Sequence, residues 1–568
     1  MHTTQQPPLN WILGAAFIQG LLLFLLYRSL ETDSWPTTDP TWLAPLFTAT
    51  VFIPLLFQLS VTPTNLVRLA KFISILMGFI VPVAFYVGYM IHPTQQGANS
   101  SIAGWFAISI LVAVFKGAMY IQQRANQQTL TYPLLFTYSW RNFLTVALGV
   151  AFTGAVTLIL YLWSSLFKVI GIEYFDDLFW NDWFIIPVLS LAFGGAISIF
   201  RKLQHVIDSI THLLEGLIRL LLPLICVLAI VFLSTMPFVG LAPLWNTGNG
   251  TALLLTLVAL TLFFTNAVYQ GGDRDNLYPA PVRWLICLGL LTLPVFSALS
   301  FYGLWLRVDE YGWTVERCWA MVVWLVLFIF AAGYAIGVIK AQLNWPTILA
   351  KTNMYLGLFV LALMLVANSP LLDFRKISLN SQINRVEAGD QNWMEFDFYY
   401  AKRHLGRPAH NFIEQLKIDH QDNADLLALI ENPLPAWARQ KHGINPIKNI
   451  VFNGPEFEIP ETVKKNLREL GFYFNQVDLL ALKVDLNRDA VEDIVFVSYD
   501  AQNIHQAFAA IHSGHAKQDE VEWEFVYLSP KRPFPKNLRE ALQQSINTKR
   551  SDIDTLTIGD LEFSPQRY

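Results

Sequence analysis

The chain has 568 residues, of which 54% are apolar and only 14% charged, with a net charge of -4. Soluble globules carry roughly 25% charged residues, so this chain is not a single soluble domain. The absence of a long basic run excludes a nucleic-acid binder.

Charge is unevenly placed: 52 of the 82 Lys, Arg, Asp and Glu lie after Pro370. The split predicts an α-helical polytopic membrane domain over residues 1–370, then an extracytoplasmic α+β domain over 371–568. They join at a seam near Leu363–Arg375. Met1–Asn10 has no Lys or Arg, and Trp11–Tyr27 lacks a small-residue cleavage site, so the first apolar run reads as a retained membrane helix. A crossing needs about 20 apolar residues. Eleven stretches qualify, near 11–28, 42–61, 72–91, 102–121, 142–167, 182–200, 217–238, 251–269, 283–305, 316–339 and 352–370. The fifth is long enough to tilt. Cys226, Cys287 and Cys318 all fall in apolar runs without zinc spacing, as small buried hydrophobes do.

Loop charges set an orientation. Arg68, Lys71, Lys116, Arg124, Arg141, Arg201, Lys202, Arg219, Arg274, Arg283, Lys340 and Lys351 fall on one side, against Arg28, Lys168, Arg307 and Arg317 on the other. The positive-inside rule places the first set, and the N-terminus, in the cytoplasm. An odd number of crossings then puts the C-terminal domain outside. On that outer side, Glu173–Trp183 mixes acids with aromatics, the composition of an interfacial belt.

Before the seventh span, Arg201, His205, Asp208, His212, Glu215 and Arg219 recur at helical spacing. Two readings compete: a helix lying along the cytoplasmic interface, or a polar stripe lining a cavity. No Asp, Glu, Lys or Arg stands near a span centre, which argues against an ion-coupled pump and leaves a carrier of an apolar or lipid-like substrate open. Between spans nine and ten, Thr314 is a good N-cap with Glu316 in the first turn. Arg307, Asp309, Glu310 and Arg317 form the candidate ligand-binding set of that loop.

Several segments together carry a resemblance. They are the Arg307–Arg317 loop, Leu241–Gly248 with Pro243 and Trp245, and Asn266-Ala267-Val268-Tyr269-Gln270. Beyond the seam come Ser381-Gln382, Arg385, Gly389, Phe396-Asp397 and Leu405-Gly406-Arg407. In this order the chain resembles an uncharacterised bacterial family of multipass membrane proteins, catalogued as a domain of unknown function. The resemblance implies an integral membrane protein with a C-terminal extramembrane portion, and supplies no catalytic residue.

In the soluble part, helical patterns fit 396–404, 411–418, 424–430, 460–470, 503–512 and 535–546, and strand patterns fit 447–452, 477–484, 494–498, 522–528 and 554–563. Residues 433–446 read as a linker between two subdomains. Between two strands, Asp485, Asn487, Asp489 and Asp493 occupy positions 1, 3, 5 and 9 of a loop, the oxygen pattern of a weak calcium site. Ala490 stands where the sharp turn prefers glycine, and Arg488 brings a positive charge. Calcium is the one cofactor indicated. His505, His512 and His515, followed by Asp519, read as surface polarity more than as a metal site.

Three functional readings follow. The first is an anchor, sensor or scaffold in a bacterial inner membrane, presenting its outer domain to an envelope protein partner. The second is a transporter or flippase-like carrier. The third is a membrane enzyme acting on envelope substrates, although no catalytic motif is found. The lipid bilayer is a partner in all three.

Overall fold

The computed structural model describes residues 7–91, 100–269, 277–389, 391–431, 433, 450–452, 457–460, 462–464, 467, 478–486, 491–499, 504–512, 523–530, 546–549, 555–558 and 561–565. The chain divides into two compact units. One is Met1–Phe396 with Tyr400–Ile430, and the other is Asp397–Tyr399 with Glu431–Tyr568. The helical unit thus continues well past Pro370, where the composition changes.

The helices are α1 (Leu9–Glu31), α2 (Pro40–Ser60), α3 (Leu66–Ile91), α4 (Ser100–Ala125), α5 (Tyr132–Val169), α6 (Tyr174–Phe179), α7 (Asp182–Lys202), α8 (Gln204–Val239) and α9 (Ala242–Asn246). They continue with α10 (Gly250–Tyr269), α11 (Ala280–Tyr311), α12 (Val315–Ala341), α13 (Pro346–Val366), α14 (Phe374–Glu387), α15 (Phe398–His404), α16 (Arg407–Asp419) and α17 (Ala424–Glu431). Among the described residues, eleven helices are long and apolar enough to cross a membrane: α1–α5, α7, α8 and α10–α13. They match the eleven predicted stretches.

Two of them are much longer than composition suggested. With 38 residues, α5 reaches about 57 Å, well beyond a hydrocarbon layer about 30 Å thick. The 36 residues of α8 run unbroken from Gln204, so the stripe from His205 to Arg219 shares one helix with the seventh span. Prolines 54, 82, 187, 223 and 294 lie inside spans. Lipid-embedded helices tolerate them because neighbouring helices re-satisfy the freed carbonyls.

Among the described residues, two apolar clusters stand in this unit. Ile12, Leu56, Leu69, Ile80 and Ile110 belong to one, drawn from α1–α4. Leu222, Cys226, Val258, Cys287, Phe296 and Tyr334 belong to the other, drawn from α8 and α10–α12.

In the second unit one sheet takes the order β1-β2-β3-β4-β5-β8-β7-β6. Its strands are β1 (Ile450–Phe452), β2 (Asp478–Val484), β3 (Asp493–Tyr499), β4 (Ile504–His512), β5 (Trp523–Pro530), β6 (Ile546–Lys549), β7 (Thr555–Ile558) and β8 (Leu561–Pro565). Only β1 and β2 run parallel; the other neighbours are antiparallel. Alternate side chains pack on opposite faces. Val495, Val497, Ala507 and Ala509 share one cluster, and Ile494, Phe496, Phe508 and Ala510 share the other.

That double burial corrects one expectation. Residues 503–512 fit a helical pattern, yet 504–512 form β4, because its buried Ala507–Ile511 segment is a short unbroken apolar run that periodicity cannot distinguish from a helix. The stretch 554–563 is two strands, with Ile558 paired to Leu561. The expected helix at 535–546 lies outside the described residues up to 545, as does the 433–446 linker after 433.

Candidate functional site

The predicted loop between α11 and α12 is a docking point. Thr314 Oγ1 accepts from the Arg317 backbone N–H at 3.3 Å and caps α12. The arginines turn to backbone oxygens. Arg307 donates to the Gly248 carbonyl, and Arg317 donates to the Gly312 carbonyl while lying over the Tyr311 ring. Asp309 and Glu310 have exposed side chains, and Asp309 takes part through its carbonyl, which accepts from Arg385 Nη1 at 3.3 Å. Arg307, Asp309 and Glu310 lie in the last turns of α11, and Arg317 lies in the first turn of α12.

The segment after the last span folds back onto this loop. Trp313 N–H donates to Ser381 Oγ at 3.0 Å, and Ser378 Oγ donates to the Trp313 carbonyl at 3.1 Å. Gly312 has φ +74°, in the left-handed region that favours glycine, and a Cβ there would stand 2.8 Å from the flexible end of Gln382. Asp373 caps α14 and accepts from Arg375 Nε at 2.8 Å and from the Tyr86 hydroxyl at 2.6 Å. Both charged residues are about 95% buried. Arg407 donates to the Tyr89 carbonyl at 2.8 Å with its guanidinium 3.8 Å from the Tyr89 ring centre. Tyr400 Oη accepts from the Val315 N–H at 2.8 Å, and burial beside Glu316 raises the phenol's pKa well above its ordinary value. Helices α14–α16 therefore form a cap on the ends of α3, α11 and α12.

The polar residues before span seven separate. Arg201 ends α7, while Asp208 of α8 forms a two-pronged pair with Arg141 of α5 at 2.9–3.0 Å. His212, Glu215 and Arg219 line a small cleft of about 160 Å³. Lys116, counted with the loop charges although it falls within the predicted 102–121 stretch, lies inside α4, nine residues before its end at Ala125.

Four helices meet at an amide and phenol cluster. Asn266 Oδ1 of α10 faces the hydroxyls of Tyr132 and Tyr334, at 3.2 and 2.5 Å, and the amide nitrogen of Asn353. Tyr334 Oη also lies 2.7 Å from Asn353 Oδ1. Tyr334 and Asn353 are buried. Such hydrogen bonds tie helices together where lipid supplies no hydrophobic drive.

A different arrangement stands among α1, α2, α5 and α7. A cleft of about 440 Å³ opens between α1, α5 and α7, lined by Gln19, Thr153, Gly154, Thr157, Ser190 and Phe193. Gln19 and Ser190 lie near the middle of their helices. Gln58 Nε2 donates to Gln19 Oε1 at 2.9 Å, and Gln19 Nε2 donates to the Val51 carbonyl at 3.2 Å. The helices approach closely because a Cβ on Gly20 would lie 2.7 Å from Pro187 Cα. One wall ends at Arg201, which donates to the carbonyls of Gln58 and Val61 at 2.7 and 2.8 Å. None of these residues except Arg201 was singled out in the sequence. The available signal was the lone amides Gln19 and Gln58 inside apolar spans.

In the predicted calcium loop, Asn487 and Asp489 lie outside the described residues, and Asp485 is half-buried. Asp493 is fully buried, and its two oxygens accept from the backbone N–H groups of Leu486 and His512, each at 2.8 Å. It braces β2, β3 and β4. His505 is in β4 and His512 ends it, with the His512 ring against Trp523; His515 and Asp519 lie outside the described residues.

Residues 11–416 match the model of a family described as Domain of unknown function (DUF4153). The chain belongs to this family. Neither a curated protein nor a solved structure gives a match. The DUF4153 region includes all eleven spans, the cleft and the cap through most of α16, and stops before β1. Its resemblance segments meet in space: Arg307 at Gly248, and Gly312 beneath Ser381, Gln382 and Arg385.

Proposed function

We propose that this DUF4153 protein is a carrier of lipid-like molecules in a bacterial cytoplasmic membrane, with its N-terminus inside and its sheet unit outside. The observation that carries the reading is the cleft between α1, α5 and α7, which places an amide and hydroxyls beside an opening at mid-span height. The anchor reading places its activity in the sheet unit, whereas the family region ends at residue 416, ahead of the first strand. Charge asymmetry between the loops supports the orientation.

The test uses full-length protein in vesicles carrying a fluorescently tail-labelled phospholipid, with an impermeant reductant added outside. The carrier bleaches label from both leaflets. A Cβ on Gly154 would meet nothing within 4 Å, so Gly154→Leu fills the cleft without a clash at that first atom and slows the inner-leaflet phase. Bleaching no faster than in protein-free vesicles overturns the reading.

A further inference from the structure

Beside Arg201, the buried oxygens of Gln58 (Oε1), Ser60 (Oγ), Thr62 (Oγ1) and Ser198 (Oγ) have no hydrogen-bond partner. Gln58, Ser60 and Ser198 are each 2% exposed or less. Buried polar atoms without partners are rare, because each forfeits its hydration, and a group of them marks a place where something else binds. Three of them are neighbours of Arg201 or of its anchor points along the chain. The Arg201 guanidinium is held by the carbonyls of Gln58 and Val61, so Ser60 and Thr62 flank its anchor points. Ser198 stands one turn before it on α7. No carboxylate pairs with Arg201 among the described residues, so its charge is not neutralised. Only two of the five N–H donors a guanidinium carries are accounted for.

We propose that Arg201, Ser198, Ser60 and Thr62 bind a phosphate group. Three unpartnered hydroxyls with protons to donate, on the segments that anchor and carry an uncompensated guanidinium, supply the kinds of donor a tetrahedral oxyanion needs. Gln58 Oε1 supplies the acceptor for a protonated phosphate oxygen. Gln58 also joins this place to the cleft: its amide nitrogen donates to Gln19, and its oxygen lies 3.4 Å from where a Cβ on Gly194 would stand. Ser190, Gly194 and Ser198 follow one another at four-residue spacing along α7, from the cleft toward Arg201. An acyl chain in the cleft would therefore have its phosphate at Arg201. As a headgroup site the proposal rests on the carrier reading; as a phosphate site it does not.

Full-length protein in detergent is melted with inorganic phosphate against chloride at equal ionic strength, and with phosphatidic acid against diacylglycerol of the same chains. Stabilisation by phosphatidic acid but not by diacylglycerol is expected. Ser198→Ala combined with Thr62→Val removes two unpartnered hydroxyls, so without ligand the variant melts no lower than wild type. It should bind phosphatidic acid about tenfold more weakly, or worse. Arg201→Gln should abolish the response. If inorganic phosphate stabilises as well as the lipid and the double variant loses both effects, the phosphate site stands and the headgroup assignment falls, whatever the vesicle assay shows. No stabilisation by either, or a response unchanged in the double variant, means that the oxygens hold ordered water only and overturns the proposal.

Discussion

Two buried polar groupings in the helical unit have similar ingredients and opposite accounts. At Asn266, Tyr132, Tyr334 and Asn353, each side chain stands within hydrogen-bonding reach of at least one other. At Ser60, Thr62 and Ser198 the side-chain oxygens have no partner, and the nearest cation is turned to backbone carbonyls. The first grouping is spent on holding α5, α10, α12 and α13 together. The second leaves hydrogen-bonding capacity over. Satisfied polar groups in a membrane interior act as glue, whereas unsatisfied ones persist where a ligand completes them.

The largest expected effect tests the satisfied side. Asp373→Ala leaves the Arg375 guanidinium buried without its partner and removes the acceptor for Tyr86. Breaking a buried pair in this way costs about 3–5 kcal/mol. The cap formed by α14–α16 should become protease-sensitive, with a lower melting temperature. Cleavage no faster than in wild type would mean that the pair does not hold the cap. Next comes Asn266→Leu, which takes the shared acceptor from two hydroxyls and an amide. Leaving such groups unpaired costs about 1–3 kcal/mol each, only partly recovered by repacking. A melting temperature equal to wild type would erase the contrast with the Ser198 grouping, where removing hydroxyls should not destabilise.

The smallest effect comes from an exposed pair that belongs to neither grouping. Asp176 of α6 is held below the usual carboxylate range by its hydrogen bonds to Lys168 and Ser164. A depressed carboxylate stabilises the fold above its unfolded value and loses that contribution as pH falls through the folded one. The helical unit should therefore lose a little stability below about pH 4, where a free aspartate titrates. Asp176→Asn should flatten that acid limb slightly. An acid limb identical to wild type would remove Asp176 from the account.

Legibility followed the range of the interaction. The Thr314 cap could be read because Thr314 and Glu316 lie within one helical turn. The charges Arg375, Lys376 and Arg385 at the seam mark it as polar, but its contacts, among them hydrogen bonds from Ser378 and Gln382 to the Tyr311 and Trp313 carbonyls, join residues far apart in the chain. Arg201 was misplaced because the helical period runs on through Leu203, where α7 ends and α8 begins.

The sequence by itself determined the eleven apolar helices, the change of composition at Pro370 and the presence of strands beyond it. Each depends on runs or alternations of neighbouring residues, and burial of an apolar run follows directly from its own composition. Only the tertiary structure decided which polar groups are satisfied. Gln19 and Gln58 are 39 positions apart, and Arg201 lies 143 positions from the Gln58 carbonyl it holds. A hydrogen bond forms only when donor and acceptor are brought within about 3 Å. Whether a hydroxyl in a span is glue or a site is therefore settled by packing between distant helices, which no local pattern of residues records.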